Sequence, residues 1–275
     1  MRRGLTALLA LALLGGGAGA RTAAAVDAGA PQRVISVDYC ADQFVLRFLP
    51  RRHILALSPD ATKPFSYMRA SAAGLPSVRP TAEDVLVRRP DLVVRAYGGG
   101  PRLSQFLQRA GVPVLEVGAA SDLADVAANV ERLSAGLGNA AGGQVLLRRL
   151  RERLAALPAA SGRATLYLTP TGYTSGPGTL VHELLLAAGL RNFSTAPGWH
   201  PIPLERLAYE QPSLVAAAFF GMARKHRGAW SAARHPVARG QLASRQRVAL
   251  QGAWTACGGW FLIDAIETLA RGAAS

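Results

Sequence analysis

Short apolar runs alternate with stretches of helical periodicity from residue 31 onward, and this alternation constrains the fold more than any other feature. Buried strands separated by helices form parallel sheets that are covered on both faces. Runs of strand length lie at 33–37, 53–57, 91–94 and 112–117, with helical spacing between them at 41–49, 83–89 and 102–110. The sequence therefore predicts a first α/β lobe over 31–120.

A helical stretch separates this lobe from a second series of strands and helices. Amphipathic spacing predicts one helix over 122–137, with Ser121 as its N-cap, and a second from about 140 to 157 that ends at Pro158. Strands are predicted at 164–168, 213–220 and 247–251, and helices at 179–188 and 261–270. We expect an α/β protein of two lobes, each with a mostly parallel sheet flanked by helices, joined by one long bridging helix. The expected boundaries are 31–120, 121–158 and 162–275.

One pattern occurs in both lobes. TAEDVLVRRPDLVV in the first and PLERLAYEQPSLVA in the second each contain a Glu that opens a short helix and a Pro seven residues later, followed by a strand. Glu83 and Pro90 thus correspond to Glu205 and Pro212. The repetition indicates two related lobes around a cleft, where ligands bind in such architectures.

The first 20 residues have the three-part pattern of a secretory signal peptide. Two arginines at 2–3 precede an apolar run at 5–14 and small residues at 18–20. The apolar run is too short to span a bilayer. We expect cleavage after Ala20 or Ala25 and an exported protein without a membrane anchor.

Charge and motifs exclude several functions. The net charge is +14, from 31 Lys and Arg against 17 Asp and Glu. The arginines are scattered rather than gathered into a stripe with aromatic residues, so we expect no nucleic-acid partner. The sequence contains no HExxH, G-x-S-x-G or P-loop motif, which argues against an enzyme.

Several segments together indicate a family. They are RVISVDYCADQFVL, TAEDVLVRRPDLVV, GTLVHELLLAAGLRNF, IPLERLAYEQPSLV and CGGWFLIDAIETLA. In this order the chain resembles the periplasmic substrate-binding proteins of ABC importers for iron–siderophore, haem and cobalamin complexes. The resemblance implies a monomeric periplasmic receptor, without enzymatic activity or resident cofactor, that delivers a metal chelate to an ABC permease in the inner membrane. It also implies that Glu83 and Glu205 dock onto arginines of that permease.

Candidate ligand-binding residues follow from where the predicted strands end, because ligands of parallel α/β lobes contact the turns there. Those at strand ends are Tyr39, Cys40, Arg95 and Tyr97 in the first lobe, and Tyr173 and Trp260 in the second. Arg79, in the loop before the Glu83 helix, is a further candidate, as are Trp199 and His200 in a loop that we expect to overhang the opening. Rigid aromatic walls suit a large planar ligand, whereas arginines suit an anionic one. A ferric siderophore, a corrinoid and haem therefore all stay open.

The two cysteines leave three alternatives. Cys40 and Cys257 fall on different lobes, each in a predicted turn that faces the cleft. They could form a disulfide, remain as unpaired thiols, or ligate a metal. The competing functions are a receptor for free metal ions, for which only His200 lies plausibly in the cleft, and an enzyme that acts on metal chelates.

Overall fold

Two separate parallel sheets, one in each half of the chain, form the framework. The computed structural model describes residues 29–219, 232, 235–243 and 245–274; the predicted signal peptide lies outside these ranges. The strands are β1 Val34–Ser36, β2 Ile54–Ala56, β3 Leu92–Arg95, β4 Val114–Glu116, β5 Ala164–Leu168, β6 Tyr173–Ser175, β7 Arg191–Asn192, β8 Trp199–Pro201, β9 Leu214–Phe219 and β10 Gln246–Gln251. The helices are α1 Tyr39–Phe48, α2 Arg69–Ala72, α3 Ala82–Leu86, α4 Leu103–Arg109, α5 Leu123–Gly136, α6 Ala140–Ala155, α7 Leu180–Ala187, α8 Leu204–Tyr209, α9 Pro236–Ala243, α10 Gly252–Thr255 and α11 Leu262–Ala274.

Both sheets have the parallel pairing that the sequence predicted. The first has the strand order β2-β1-β3-β4 and the second β10-β9-β5-β7. A two-stranded antiparallel pair, β6 with β8, is added to the second lobe. The predicted α/β class with two lobes is thereby confirmed, whereas the exact domain boundaries stay a prediction.

Alternate strand residues separate the core into a shared part and two outer parts. Val34 and Leu214 belong to one continuous cluster of buried side chains that runs through both lobes. Their neighbours Ile35 and Val215 point to the opposite faces, into an outer cluster on each lobe. Because each sheet contributes one face to the shared cluster, the lobes are packed together over a broad apolar contact.

Helix α6 joins the lobes and packs through Leu146, Leu147 and Leu150, which are buried. Arg153 near its end pairs with Asp264 and Glu267 of α11, with nitrogen–oxygen distances of 2.7 Å to each. The helix therefore contacts the second lobe through these ion pairs to α11 before the chain enters β5.

Side-chain caps define where several helices begin. Asp122, not the predicted Ser121, caps α5, because its carboxylate accepts a hydrogen bond from the Asp125 amide at 2.7 Å. Ser121 instead donates its hydroxyl to the Asp125 carboxylate. Of the helices that the structure describes, none is both long and apolar enough to cross a bilayer.

Candidate functional site

A cavity of about 420 Å³ lies between the lobes, at the ends of β4 and β10 and the start of α7. Residues of both halves line it: Ala119, Ala120, Ser121, Asp125, Gly178, Thr179, Leu180, Val181, Trp199, Thr255, Ala256, Cys257, Gly258 and Leu262. Among these described lining residues, Asp125 carries the only charged side chain. The cavity is thus an inter-lobe cleft with a largely uncharged lining.

A disulfide ties the two lobes together at this cleft. Cys40, at the start of α1, is bonded to Cys257, which lines the cavity, and their Cα atoms are 5.6 Å apart. Beside it the Tyr39 hydroxyl donates to the Ala256 carbonyl oxygen at 3.4 Å. Of the three alternatives that the sequence left open for the cysteines, the structure shows the disulfide. Neither cysteine is a free thiol or a metal ligand.

Three aromatic rings of the first lobe cluster next to the disulfide. The Tyr39 ring is edge-on to Phe65 at 4.8 Å and to Tyr97 at 5.9 Å between centroids. Tyr97 is 52% exposed. Burial, followed by the nearby Tyr39 and Asp38, raises the pKa of Tyr97, and burial also raises the pKa of Tyr39. Both phenols are therefore neutral at physiological pH and offer an aromatic face with a hydrogen-bonding edge.

Asp38 fixes the position of both tyrosines. One of its buried carboxylate oxygens, Oδ1, accepts from the Ala41 amide at 2.9 Å and so caps α1, which begins at Tyr39. The other, Oδ2, accepts from the amides of Ala96, Tyr97 and Gly98 at 2.6, 3.1 and 3.0 Å. One carboxylate thus connects the loop that follows β1 to the loop that follows β3.

Arg95 supports this second loop from within and does not face the cleft. It is buried, and its guanidinium donates to the carbonyl oxygens of Gly98 and Gly100 and pairs with Glu116 at 3.2 Å. A side chain at Gly98 would overlap the Val37 carbonyl oxygen, so the backbone there needs glycine. Each guanidinium nitrogen of Arg95, a predicted ligand-binding residue, donates to a group of the protein, and Arg95 does not line the cavity described above.

Arg79 also lies elsewhere. Its exposed guanidinium pairs with Asp84 at 2.5 Å, at the start of α3. It lines a separate, smaller cavity of about 280 Å³ on the first lobe together with Arg88 and Val87. The structure therefore does not bring Arg79 to the inter-lobe cleft.

The β6–β8 pair carries the aromatic residues of the second lobe. Trp199 lies opposite Ser175, and Pro201 lies opposite Tyr173. Trp199 is 53% exposed and lines the cleft, while its ring packs edge-on against the buried Tyr167 at 5.9 Å. The sequence interpretation treated this region as loops and did not predict the pairing that places Trp199 and Tyr173 on one face of the two strands.

His200 follows Trp199 but its ring is already engaged. Nε2 lies 2.7 Å from the Ser194 hydroxyl and Nδ1 lies 2.8 Å from the Pro201 carbonyl oxygen. Within the ranges that the structure describes, no three His, Cys, Asp or Glu side chains converge as a metal site would require. His200 is thus placed to hold β8 near Ser194 rather than to offer a free nitrogen.

Trp260 differs most from the sequence prediction. It is only 7% exposed, and its ring packs against Phe44 at 5.4 Å and Phe261 at 5.3 Å in the shared core. The sequence predicted that Trp260 lies in a turn at the cleft. Its side chain is instead buried, next to that of Phe261. Trp260 therefore joins the lobes by packing and does not form part of the cleft surface.

The structure adds cleft residues that sequence reasoning did not select. The loop at 119–121 after β4 and the segment at 178–181 that begins α7 both line the cavity. Small residues dominate these segments, so no chemically distinctive side chain marked them. Their position after β4 and before α7 was the only available signal.

Glu83 and Glu205 occupy matched positions in the two lobes. Glu83 lies in the first turn of α3, which precedes β3, and Glu205 lies in the first turn of α8, which precedes β9. Both side chains are exposed. The predicted correspondence of the two segments is confirmed in three dimensions.

The fold and cleft define a two-lobed α/β binding protein, and solved structures of this class are similar to the chain. A periplasmic haem-binding protein from Pseudomonas aeruginosa is 26% identical, with a TM-score of 0.66 over 87% of this chain and 91% of that chain. The periplasmic vitamin B12-binding protein of Vibrio cholerae is 21% identical, with a TM-score of 0.61 over 89% and 97%. The resemblance to periplasmic metal-chelate-binding proteins of ABC importers is thereby confirmed.

Cobalamin-binding proteins from two strains of Halobacterium salinarum are 25% identical over 196 residues, or 67% of this chain. The chain spans about half the length of these curated relatives, since the match covers 53% of them. No family model matches the chain.

Proposed function

We propose that this protein is a periplasmic receptor that binds a planar metal chelate of the corrinoid or haem class and delivers it to an ABC permease. The observation that carries this proposal is the inter-lobe cavity, which Trp199 of the second lobe lines, together with the adjoining Cys40–Cys257 disulfide and the Tyr39–Tyr97 ring pair of the first lobe beside it. A receptor needs a shaped, rigid cleft and no catalytic group, and the similar proteins named above are binding proteins.

The chelate class follows from what the described cleft walls offer. Exposed aromatic faces bind flat, partly apolar ligands at little cost in side-chain entropy. Arg79 and Arg95, the two residues that would have favoured an anionic ferric siderophore, are paired with Asp84 and Glu116 away from the cavity. The neutral tyrosines and the tryptophan thus favour a tetrapyrrole or corrin ring over a small anionic chelate.

Delivery to the permease is assigned to Glu83 and Glu205. Each lobe presents one exposed carboxylate at an equivalent place, and neither forms an ion pair with a described residue. Paired charges of this kind orient a transient complex and fix its register on arginines of the partner. We further propose that residues 1–20 direct export and that the mature protein is a monomer, which mass spectrometry of the secreted N-terminus and light scattering would test.

Ligand binding is tested by quenching of tryptophan fluorescence with cyanocobalamin, haemin, a ferric hydroxamate, Zn²⁺ and Mn²⁺. We expect saturable binding of one of the two ring chelates, released chemically unchanged. Tyr97→Ala and Trp199→Ala should each weaken it roughly 10-fold or more. Phe106→Ala is the matched control, because Phe106 is about as exposed but lies on α4, whereas Trp199 lines the cavity and Tyr97 packs against Tyr39 beside the disulfide.

The same panel can contradict the proposal at two levels. Tightest binding of the ferric hydroxamate would overturn the chelate class, and tightest binding of a free metal ion would support the competing metal receptor. Turnover of a bound chelate would support the enzyme alternative. Absence of binding to every member would refute the receptor itself.

Docking is tested with the double variant Glu83→Ala, Glu205→Ala. We expect chelate uptake by the reconstituted importer to be lost while chelate affinity is unchanged. Glu131→Ala with Glu152→Ala, exposed glutamates on α5 and α6, is the matched control. An unaltered uptake rate in the first double variant would refute this assignment.

A further inference from the structure

Two large apolar side chains are far more exposed than the other large apolar side chains of the described residues. Tyr209 is 91% exposed and Val87 is 77% exposed, whereas the next, Trp199, is 53% exposed and lines the cleft. Single exposed apolar residues are common, but these two stand at equivalent positions of the repeated segment. Val87 follows Glu83 by four residues, and Tyr209 follows Glu205 by four residues.

The repeated segment holds each Glu and its apolar partner on one outward face. Val85 and Leu207, two residues after each Glu, are fully buried against the outer clusters of their lobes. Residues four apart in a helix lie on the same face, and the residue midway between them points to the opposite face. Because that middle residue is buried, the Glu and the apolar residue of each lobe face outward. Each lobe therefore presents the same pair, a carboxylate with an apolar side chain next to it.

The charges that flank the pair differ between lobes and are satisfied locally. Asp84 corresponds to Arg206 in the repeat and is paired with Arg79 at 2.5 Å. Arg206 is paired with Glu210 at 2.7 Å. Within the part of the chain that the structure describes, the two lobes therefore share a glutamate without an ion-pair partner and an exposed apolar side chain four residues after it.

We infer that Val87 and Tyr209 are the apolar anchors of permease docking, each of which inserts beside the contact made by the neighbouring glutamate. This inference rests on the proposed function. Two equivalent pairs on two related lobes fit a partner that presents one surface twice, as a permease built from two like subunits does. Each copy of that surface would offer a basic group for the glutamate and an adjacent apolar socket.

A second copy of this chain fits the same face poorly. Two such faces brought together in a symmetric dimer would place glutamates near glutamates, and like charges at an interface oppose association. A permease with basic groups instead complements both carboxylates. Exposed ion pairs contribute little to affinity, so burial of the two apolar side chains would supply a larger part of it.

The test measures binding of the full-length protein to the cognate permease–ATPase complex in nanodiscs, alongside chelate affinity. Val87→Ser and Tyr209→Ser are each expected to weaken permease binding roughly 10-fold, and the double variant more, with chelate affinity unchanged. Phe106→Ser, an exposed aromatic on α4, is the matched control and should bind the permease normally.

A residue exchange tests whether the two sockets are equivalent. Val87→Tyr combined with Tyr209→Val should retain more permease affinity than the double Ser variant, because each socket still receives an apolar side chain. Wild-type binding by the double Ser variant, while Glu83→Ala with Glu205→Ala abolishes it, would overturn this inference and leave the proposed function standing. Self-association that the double Ser variant abolishes would instead assign the face to a second copy and also overturn it.

Discussion

Replacement of Asp38 by Asn should destabilise the protein and its cleft, although the two side chains have the same shape. The two carboxylate oxygens of Asp38 accept hydrogen bonds in opposite directions, one from Ala41 and the other from the amides of 96–98. Asn has a single acceptor oxygen and a donor NH₂ group in place of the second. In either orientation the NH₂ group faces at least one backbone N–H.

The expected decrease in the free energy of unfolding can be worked out for each orientation of the substituted side-chain amide. If the amide oxygen faces 96–98, three charge-assisted bonds become neutral ones, at about 1 kcal/mol each, and the α1 cap is lost at about 1 kcal/mol more. If the oxygen faces Ala41, the cap is kept but three amides, that of Gly98 buried and those of Ala96 and Tyr97 part-buried, lose their acceptor, at about 1 kcal/mol each. Either way we expect Asp38→Asn to lower the free energy of unfolding by about 3 to 4 kcal/mol.

Urea denaturation followed by circular dichroism measures this loss, and chelate titration measures the accompanying release of the Tyr97 loop. The control is Asp122→Asn, because the Asp122 carboxylate caps α5 with a single bond to Asp125 that an amide oxygen can keep. We expect the control to cost less than about 0.5 kcal/mol. An Asp38→Asn protein within about 1 kcal/mol of wild type would refute this reasoning.

Two further predictions concern groups next to the same cleft. Cys40→Ala with Cys257→Ala should lower the free energy of unfolding by up to about 5 kcal/mol, because the disulfide closes a loop of 217 residues; a denaturation midpoint that stays unchanged in that variant and in reduced wild type would contradict this. Burial raises the pKa of Asp42 to about 6, so the native state holds this proton more tightly than the unfolded chain, and the contribution of Asp42 to stability should fall as pH rises from about 4 to 6. Asp42→Asn should remove this contribution to the pH profile and be about 3 kcal/mol more stable than wild type at pH 7.5; an unchanged profile would refute the assignment.

The sequence predicted the framework well because strand and helix signals are local. The apolar runs that became β1, β3, β5 and β9 were each identified within one or two residues, and the repeated Glu–Pro segment was placed correctly before β3 and β9. The same local information failed for β6 and β8. Their pairing joins residues about 26 positions apart, and nothing in either short segment specifies the other.

The site was harder to predict because a side chain's direction depends on tertiary contacts. Trp260 and Arg95 both lie next to turns at the cleft end of the fold. Trp260 nevertheless packs in the core, and Arg95 donates hydrogen bonds to backbone carbonyl oxygens. Asp38 and Asp42 stand four residues apart in one motif, and composition cannot distinguish them. The structure shows that Asp38 accepts from backbone amides on both sides, whereas Asp42 accepts from the Ser58 amide and hydroxyl.

The way the cleft is held has a consequence for how it selects a ligand. Its walls are fixed without ligand by the Cys40–Cys257 disulfide, by Asp38 and Arg95 around the Tyr97 loop, and by a core that both lobes share. A cleft fixed in this way needs little ordering when it binds, so most of the contact energy appears as affinity. For the same reason we expect it to adapt poorly to a ligand of different thickness, because the contacts that hold the Tyr97 loop and join the lobes are made within the protein. Discrimination between chelates should therefore respond to substitutions such as Asp38→Asn that loosen the support, even where no ligand-contacting side chain is changed.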